Sequence, residues 1–164
     1  MLKAIKKILG IEAGNEGKQI DFKKAWTVDR IKDRNKFLSK IIELVPSESI
    51  WTIEGHYDEG IHKIIFKHLI EDDIKVWKGT VWPKQNFIKV KLTDDAKSDI
   101  LNALPSWNLK HNIIHQHIYK DGQFYLTSFD NLEETCTWVS MEFPKSELDK
   151  LKEDDIIDFS SASE

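Results

Sequence analysis

The chain has 164 residues, 40% of them hydrophobic and 32% charged, with a net charge of −4. Those values describe one globular domain long enough to bury a core without staples, and they exclude global disorder. The mild acidity counts against a general nucleic-acid binder, which needs a basic surface to displace counterions; the single cysteine, Cys136, excludes an internal disulfide and a multi-cysteine zinc site.

At the start, Leu2, Ile5, Ile8 and Leu9 fall at helical spacing with lysines between them. This predicts a short terminal helix; the alternative is a basic amphipathic segment touching a membrane or a partner. Lys3, Lys6 and Lys7 interrupt the apolar run, so it does not read as a secretory signal. No stretch approaches the length of a membrane span. A reducing, cytoplasmic setting follows by elimination. Residues 14–18, GNEGK, read as a turn or linker. A single domain over 1–164 is expected, with 1–18 as its N-terminal helix and linker.

A helix is predicted over 29–45. Ile31, Leu38, Ile41, Ile42 and Val45 form its stripe, Asp29 supplies a first-turn acid, and Pro46 stops it. Residues 49–57 read as a strand carrying Ile50, Trp51 and Ile53. Asp58 then caps a helix over 59–71 with Ile61, Ile64, Ile65 and Leu69 on one face. A strand over 74–82 ends at Pro83. Residues 87–92 alternate, with Ile88, Val90 and Leu92 inward and Lys89 and Lys91 outward. Thr93 caps a helix over 94–104, with Asp94 and Asp95 in its first turn and Ile100, Leu101 and Leu104 on its apolar side. Near the end, a strand over 136–143 puts Val139, Met141 and Phe143 on one face. Ser146 caps a last helix anchored by Leu148 and Leu151, and a polar tail over 160–164 is expected to be mobile. This order predicts an α+β fold: a mainly antiparallel sheet with a C-terminal β-meander, packed against three to four helices.

The most specific local geometry lies over 111–143. Asp121-Gly122 between alternating segments predicts a two-residue hairpin, because a type I′ turn needs positive φ at both central residues. Lys120 then pairs with Gln123, Tyr119 with Phe124, His117 with Leu126, His115 with Ser128 and Ile113 with Asp130. One face would carry His111, His115, His117, Tyr119, Phe124, Leu126, Ser128 and Asp130; the other would carry Ile114, Ile118, Tyr125 and Phe129. This register brings His115, His117 and Asp130 within reach of one another. Two neutral imidazoles and a carboxylate suit a divalent metal such as zinc or iron, and the histidine pair also suits acid–base work near neutral pH. The competing reading is a pair of ordinary surface or interface histidines.

Glu54, His56, Asp58 and Glu59 cluster in sequence, as an acid–base set or, more simply, as a strand end and a helix cap. His62 and His68 read as solvated helix residues, and Cys136 as a small packed side chain. Of the six tryptophans, Trp26, Trp51, Trp107 and Trp138 read as core. Trp77 and Trp82, flanking Gly79 in VWKGTVWPK, read as candidate protein-binding anchors. The acidic runs Glu71-Asp72-Asp73, Glu133-Glu134 and Glu153-Asp154-Asp155 read as solvated ends, or as a face for a basic partner if they collect. No glycine-rich phosphate loop, GxSxG elbow, HExxH or EF-hand loop occurs.

The segment IYKDGQFYLTSFDNLEETCTWVS, with its hairpin turn, Ser-Phe-Asp-Asn step and Trp-Val-Ser strand, resembles small bacterial cytoplasmic proteins of the toxin-immunity kind. The resemblance implies a bacterial protein that binds and neutralises a partner toxin; it assigns no site residue. The lack of a catalytic signature, together with tryptophans and acidic clusters suited to an interface, makes the leading expectation a non-enzymatic protein-binding domain needing no cofactor. The rivals are a small metal-dependent enzyme or metal-binding domain at His115, His117 and Asp130, and a small-molecule module on a tryptophan-rich sheet face. Oligomeric state is left open.

Overall fold

The computed structural model describes residues 17–80 and 85–161. The expected N-terminal helix, Trp82 and the last three residues lie outside the described residues. Within them the chain runs through β1 (Ala25–Ile31), α1 (Arg34–Leu44), β2 (Ser49–Gly55), α2 (Glu59–Ile65) and β3 (Asn86–Leu92). It continues through α3 (Asp94–Ala103), α4 (Leu109–Asn112), β4 (Ile113–Lys120), β5 (Gln123–Ser128), β6 (Thr137–Ser140), α5 (Lys145–Glu153) and β7 (Ile157–Ser161). The strands form one antiparallel sheet in the order β3-β2-β4-β5-β6-β1-β7, with β4, β5 and β6 as the expected meander. The fold is α+β.

Local chemistry explains most element starts. Asp33 caps α1 by accepting the Lys36 amide at 2.9 Å, Asp58 caps α2 through the Ile61 amide at 2.9 Å, and Thr93 caps α3 through the Ala96 amide at 3.1 Å. Asp121 and Gly122 both have positive φ, 50° and 80°, and Lys120 pairs with Gln123 as the hairpin turn requires.

Several expectations are overturned. Residues 25–31 are strand, so Asp29 starts no helix. A β-bulge shifts the β1–β7 register between Val28 and Arg30, and Ile31, expected as the start of the helix stripe, is instead the last buried residue of the strand. The helix expected over 59–71 stops at Ile65 and passes through a 3₁₀ turn, which leaves Leu69 exposed rather than on an apolar face. The expected strand over 74–82 is absent from the described residues; 69–80 instead runs as a strap with single bridges at Leu69–Val90 and Lys18–Val76. β6 ends at Ser140, which leaves Met141 exposed. Ser146 lies inside α5 instead of capping it. The tail begins as β7, an edge strand paired with β1.

The two sheet faces are covered in different ways. Phe37, Leu38, Ile41 and Ile42 of α1, Ile61 and Ile65 of α2, Ile100 of α3, and Leu148 and Leu151 of α5 share one apolar cluster with Trp51, Ile53, Val90, Ile118, Leu126 and Val139 from the strands. That is the main core. The opposite face carries a smaller cluster, with Tyr119 and Phe124 under Ile20 and Val76. There the covering layer is the strap together with residues 17–20, which are joined by Lys18 N–H to Lys75 O (2.7 Å) and Trp77 N–H to Lys18 O (2.9 Å).

The cap assignment is testable. Asp33→Ala should cost about 1 kcal/mol in urea denaturation. Asp29→Ala, which gives up only the Ser160 hydroxyl bond at 3.1 Å, should cost less than half of that.

Candidate functional site

On the face away from the helices, polar side chains line up across neighbouring strands. Lys89 of β3 lies opposite Thr52 of β2, Thr52 opposite His117 of β4, and His117 opposite Thr127 of β5. In the next row Glu54 lies opposite His115. Alternation places all of these on the same side as Tyr119 and Phe124. They are not solvated: Glu54 is 4% exposed, His115 6% and His117 2%.

The partners of His117 depend on a second bulge. Tyr119 pairs with Phe124 but Ile118 pairs with Leu126, so Tyr125 has no partner and everything beyond it is displaced by one residue. His117 therefore faces Thr127, not Leu126. Leu126 and Ser128 turn to the helix-covered side, and Phe129 joins the histidine side, with its ring 5.5 Å from that of His115 and 5.7 Å from that of His117. The expected two-residue periodicity fails because a bulge inserts one residue into one strand only. His111, expected on this face, sits exposed on α4.

Each buried imidazole has both nitrogens bonded. His117 Nε2 lies 2.7 Å from the Trp77 carbonyl and Nδ1 lies 2.9 Å from Thr127 Oγ1, which also accepts the Ile20 amide at 3.1 Å. His115 Nδ1 accepts the Asp130 backbone N–H at 3.2 Å, and Nε2 lies 2.9 Å from Thr80 Oγ1. Glu54 receives the Gly79 and Thr80 amides at 3.1 and 3.0 Å, one on each carboxyl oxygen. Further along the strap, Tyr119 donates to Asp72 at 2.8 Å, while Lys89 pairs with Asp72 and donates to the Ile74 carbonyl at 2.6 Å. The strap is thus held to the sheet mainly by hydrogen bonds to its own backbone and short polar side chains.

These bonds specify a neutral His115, and burial keeps His117 neutral as well. A backbone amide only donates, so His115 Nδ1 must present a lone pair and Nε2 carries the hydrogen. A carbonyl only accepts, so His117 Nε2 likewise carries the hydrogen. Burial is the largest influence on both and lowers both pKa values, to about 4 for His117; the Glu54 and Asp130 charges pull His115 the other way without reversing it. Burial and Asp72 together raise the Tyr119 phenol.

This polarity bears on chemistry. Glu54, His115 and Thr80 superficially resemble an acid–histidine–hydroxyl relay. In such a relay the hydroxyl gives its proton to the imidazole and the acid takes Nδ1–H. Here Nε2–H donates to Thr80, Nδ1 receives a backbone amide, and Glu54 is occupied by the strap. The proposed ligand trio is likewise not gathered. His115 and His117 share the interior, but the Asp130 side chain is exposed and Asp130 reaches His115 through its backbone N–H. Among the described residues no group of three His, Cys, Asp or Glu side chains is placed to hold a metal ion.

The remaining candidates separate. Glu54 leaves the sequence cluster for the strap, His56 and Glu59 are exposed, and Asp58 caps α2 and accepts Asn112 Nδ2 at 2.8 Å. His62 stacks on the exposed Phe66 with ring centroids 3.6 Å apart, His68 meets Asp99 at 2.9 Å, and Cys136 is half-buried in the turn before β6. The acidic runs do not merge into one face. Asp72 turns inward to Lys89, Asp155 pairs with Arg30 and Lys32, and Glu134 accepts the Ile31 amide at 3.4 Å. Trp51 and Trp107 are core, and Trp26 and Trp138 pack against the apolar clusters. Trp77 is half-exposed and belongs to neither cluster. Thr80 and Thr127 went unnoticed in the sequence, and Gly79 stands there only as a neighbour of the tryptophans, since a lone threonine or glycine carries no signal of what will lie above it.

No protein-family model, curated protein or solved structure matches the chain. Among the described residues no helix is long and apolar enough to cross a membrane.

Two substitutions test the site. His117→Phe keeps the bulk but strands the Trp77 carbonyl and the Thr127 hydroxyl; it should cost roughly 2–4 kcal/mol in chemical denaturation. A Cβ on Gly79 would sit 2.5 Å from the His115 ring, so Gly79→Ala should cost about 1–3 kcal/mol by overpacking and shift the His115 ring resonances.

Proposed function

We propose that this protein works by binding another protein rather than by catalysis, as an immunity-type domain that neutralises a basic partner toxin. The observation that carries the reading is the presentation of Trp77. Its indole is half-exposed and outside both apolar clusters. Its backbone is held on both sides, the carbonyl by His117 at 2.7 Å and the amide by Lys18 at 2.9 Å. A large aromatic held in place before contact loses little conformational freedom on binding, which is what an interface anchor requires.

Two further observations support it. His115 has its ring nitrogens engaged with polarity opposed to nucleophile activation. The chain is acidic, with a sequence pI of about 5.9, which favours encounter with a partner of opposite charge. The immunity assignment rests on the resemblance of residues 118–140, and it implies a bacterial, cytoplasmic setting. Trp82, the second tryptophan of VWKGTVWPK, is proposed as an anchor on its sequence alone.

The test is growth rescue. Co-expression should restore growth of cells producing a toxin encoded beside this gene, and the two proteins should co-purify in fixed stoichiometry. Trp77→Ala should weaken that complex at least tenfold, about 1.4 kcal/mol or more, while leaving the melting temperature unchanged. Rescue and affinity untouched by the substitution would sink the assignment of Trp77.

A further inference from the structure

The strap and the turn beside it are closed on two buried imidazoles, and the turn by a bond at His115 that only an uncharged ring can make. The Asp130 amide points its single hydrogen at His115 Nδ1 (3.2 Å), while buried His117, with no carboxylate among its hydrogen-bond partners, has Nδ1 2.9 Å from the Thr127 hydroxyl. A proton added at His115 Nδ1 sets donor against donor; one added at His117 places a charge in the interior with no carboxylate bonded to it. The bond at His115 pins an unfavourable piece of backbone: Asp130, Asn131 and Leu132 are three successive non-glycine residues in the left-handed region, with φ of 52°, 64° and 59°. The other ties of that turn are Asn131 N–H to Ile114 O (2.7 Å), Asn131 Nδ2 to Ile113 O (3.0 Å) and Arg34 to Asn131 O (3.1 Å).

We propose that the strap 72–80 and the turn Asp130–Leu132 form an acid-released latch, closed by neutral His115 and His117 and opened when these residues take up protons. The charged and titratable groups around the pair come from several elements. Glu54 of β2 and the Asp130 carboxylate lie nearest, and each histidine faces the other. Asp72, Lys89 and Tyr119 tie the far end of the strap, and the strap's own Lys75 and Lys78 are exposed. The two near carboxylates favour a proton on His115, but they do not remove the opposed donors at Nδ1. Opening frees the Gly79 and Thr80 amides from Glu54, uncovers the buried row, and moves Trp77 with the strap.

The sign is fixed by linkage. An opened histidine titrates near its ordinary 6.5, whereas closed His117 titrates near 4. The open state therefore holds more protons between those values, and closure weakens as pH falls through that window. From about pH 7.5 upward the latch is at full strength.

Amide hydrogen exchange of the full chain, corrected for intrinsic exchange chemistry, reads this directly. Between pH 7.5 and 5 the open population reported by the Gly79, Thr80 and Asp130 amides should rise roughly 30-fold for the His117 proton alone, while the amides of Trp51 and Ile118 stay protected. In the double variant His115→Gln with His117→Gln the rise should vanish. Should that variant not fold, nitrogen-15 spectra of the wild-type imidazoles decide: both rings should be the Nε2–H tautomer at pH 7.5. Flat exchange in the wild type, an equal rise in the double variant, or an Nδ1-protonated ring at pH 7.5 overturns the latch. The latch does not rest on the binding reading; if Trp77→Ala leaves the toxin complex intact, the exchange experiment still stands.

Discussion

Tyr125 has no partner across the β4–β5 hairpin, and that single unpaired residue decides what the polar face of the sheet can do. Without the bulge, His117 would oppose Leu126, and its Nδ1 would meet a methyl group inside the protein. With it, Thr127 stands opposite His117, receives Ile20 from above, and completes a bond pattern that ends on the Trp77 carbonyl. The same shift sends Leu126 into the helix-covered core and brings Phe129 beside both imidazoles. One inserted residue thereby satisfies a buried histidine and fills the core at once, because displacing a strand by one position exchanges its two faces.

The sheet consequently rests on two kinds of cohesion. On the helix side the driving force is burial of apolar area, which is non-directional and tolerant of small shifts. On the strap side the covering layer has few apolar anchors, Ile20, Val76 and the half-buried Ile74 among them, and depends on directional bonds to Glu54, His115, His117, Tyr119 and Lys89. Such bonds add little net stability when made but are costly to leave unmade. A layer held this way is specific in position and sensitive to the protonation of its partners. Both the presentation of Trp77 and the latch follow from that property.

Elements governed by local chemistry were legible. Asp58, Thr93 and the Asp121-Gly122 turn act over three or four residues, and each behaves as its side chain and φ preference dictate. Elements governed by distant partners were not. The predicted helix over 29–45 extends back across the end of β1, because Asp29 and Ile31 fit a helix start as well as a strand end. The strap read as strand because Trp77 and its neighbours have strand-like composition, yet it lies across the sheet instead of joining an edge. The nearness of His115 to His117 was legible from alternation, but the role of Asp130 was not. Asp130 and Asn131 each favour the left-handed region as single residues, but that preference does not announce a run of three ending on Leu132.

The amino-acid sequence alone therefore determined the α+β class, the helix caps over α2 and α3, the hairpin turn and the side-by-side placement of the two histidines, since each depends on contacts within a few residues. Only the tertiary structure decided that these histidines are buried, neutral and fully bonded. That outcome depends on Ile20, Thr80 and Trp77 arriving from segments between 35 and 107 residues away, and on a bulge that exchanges the faces of β5. Alternating polar residues on a strand mark a face that is not the main core; whether water or another layer of chain covers that face is settled by packing at long range.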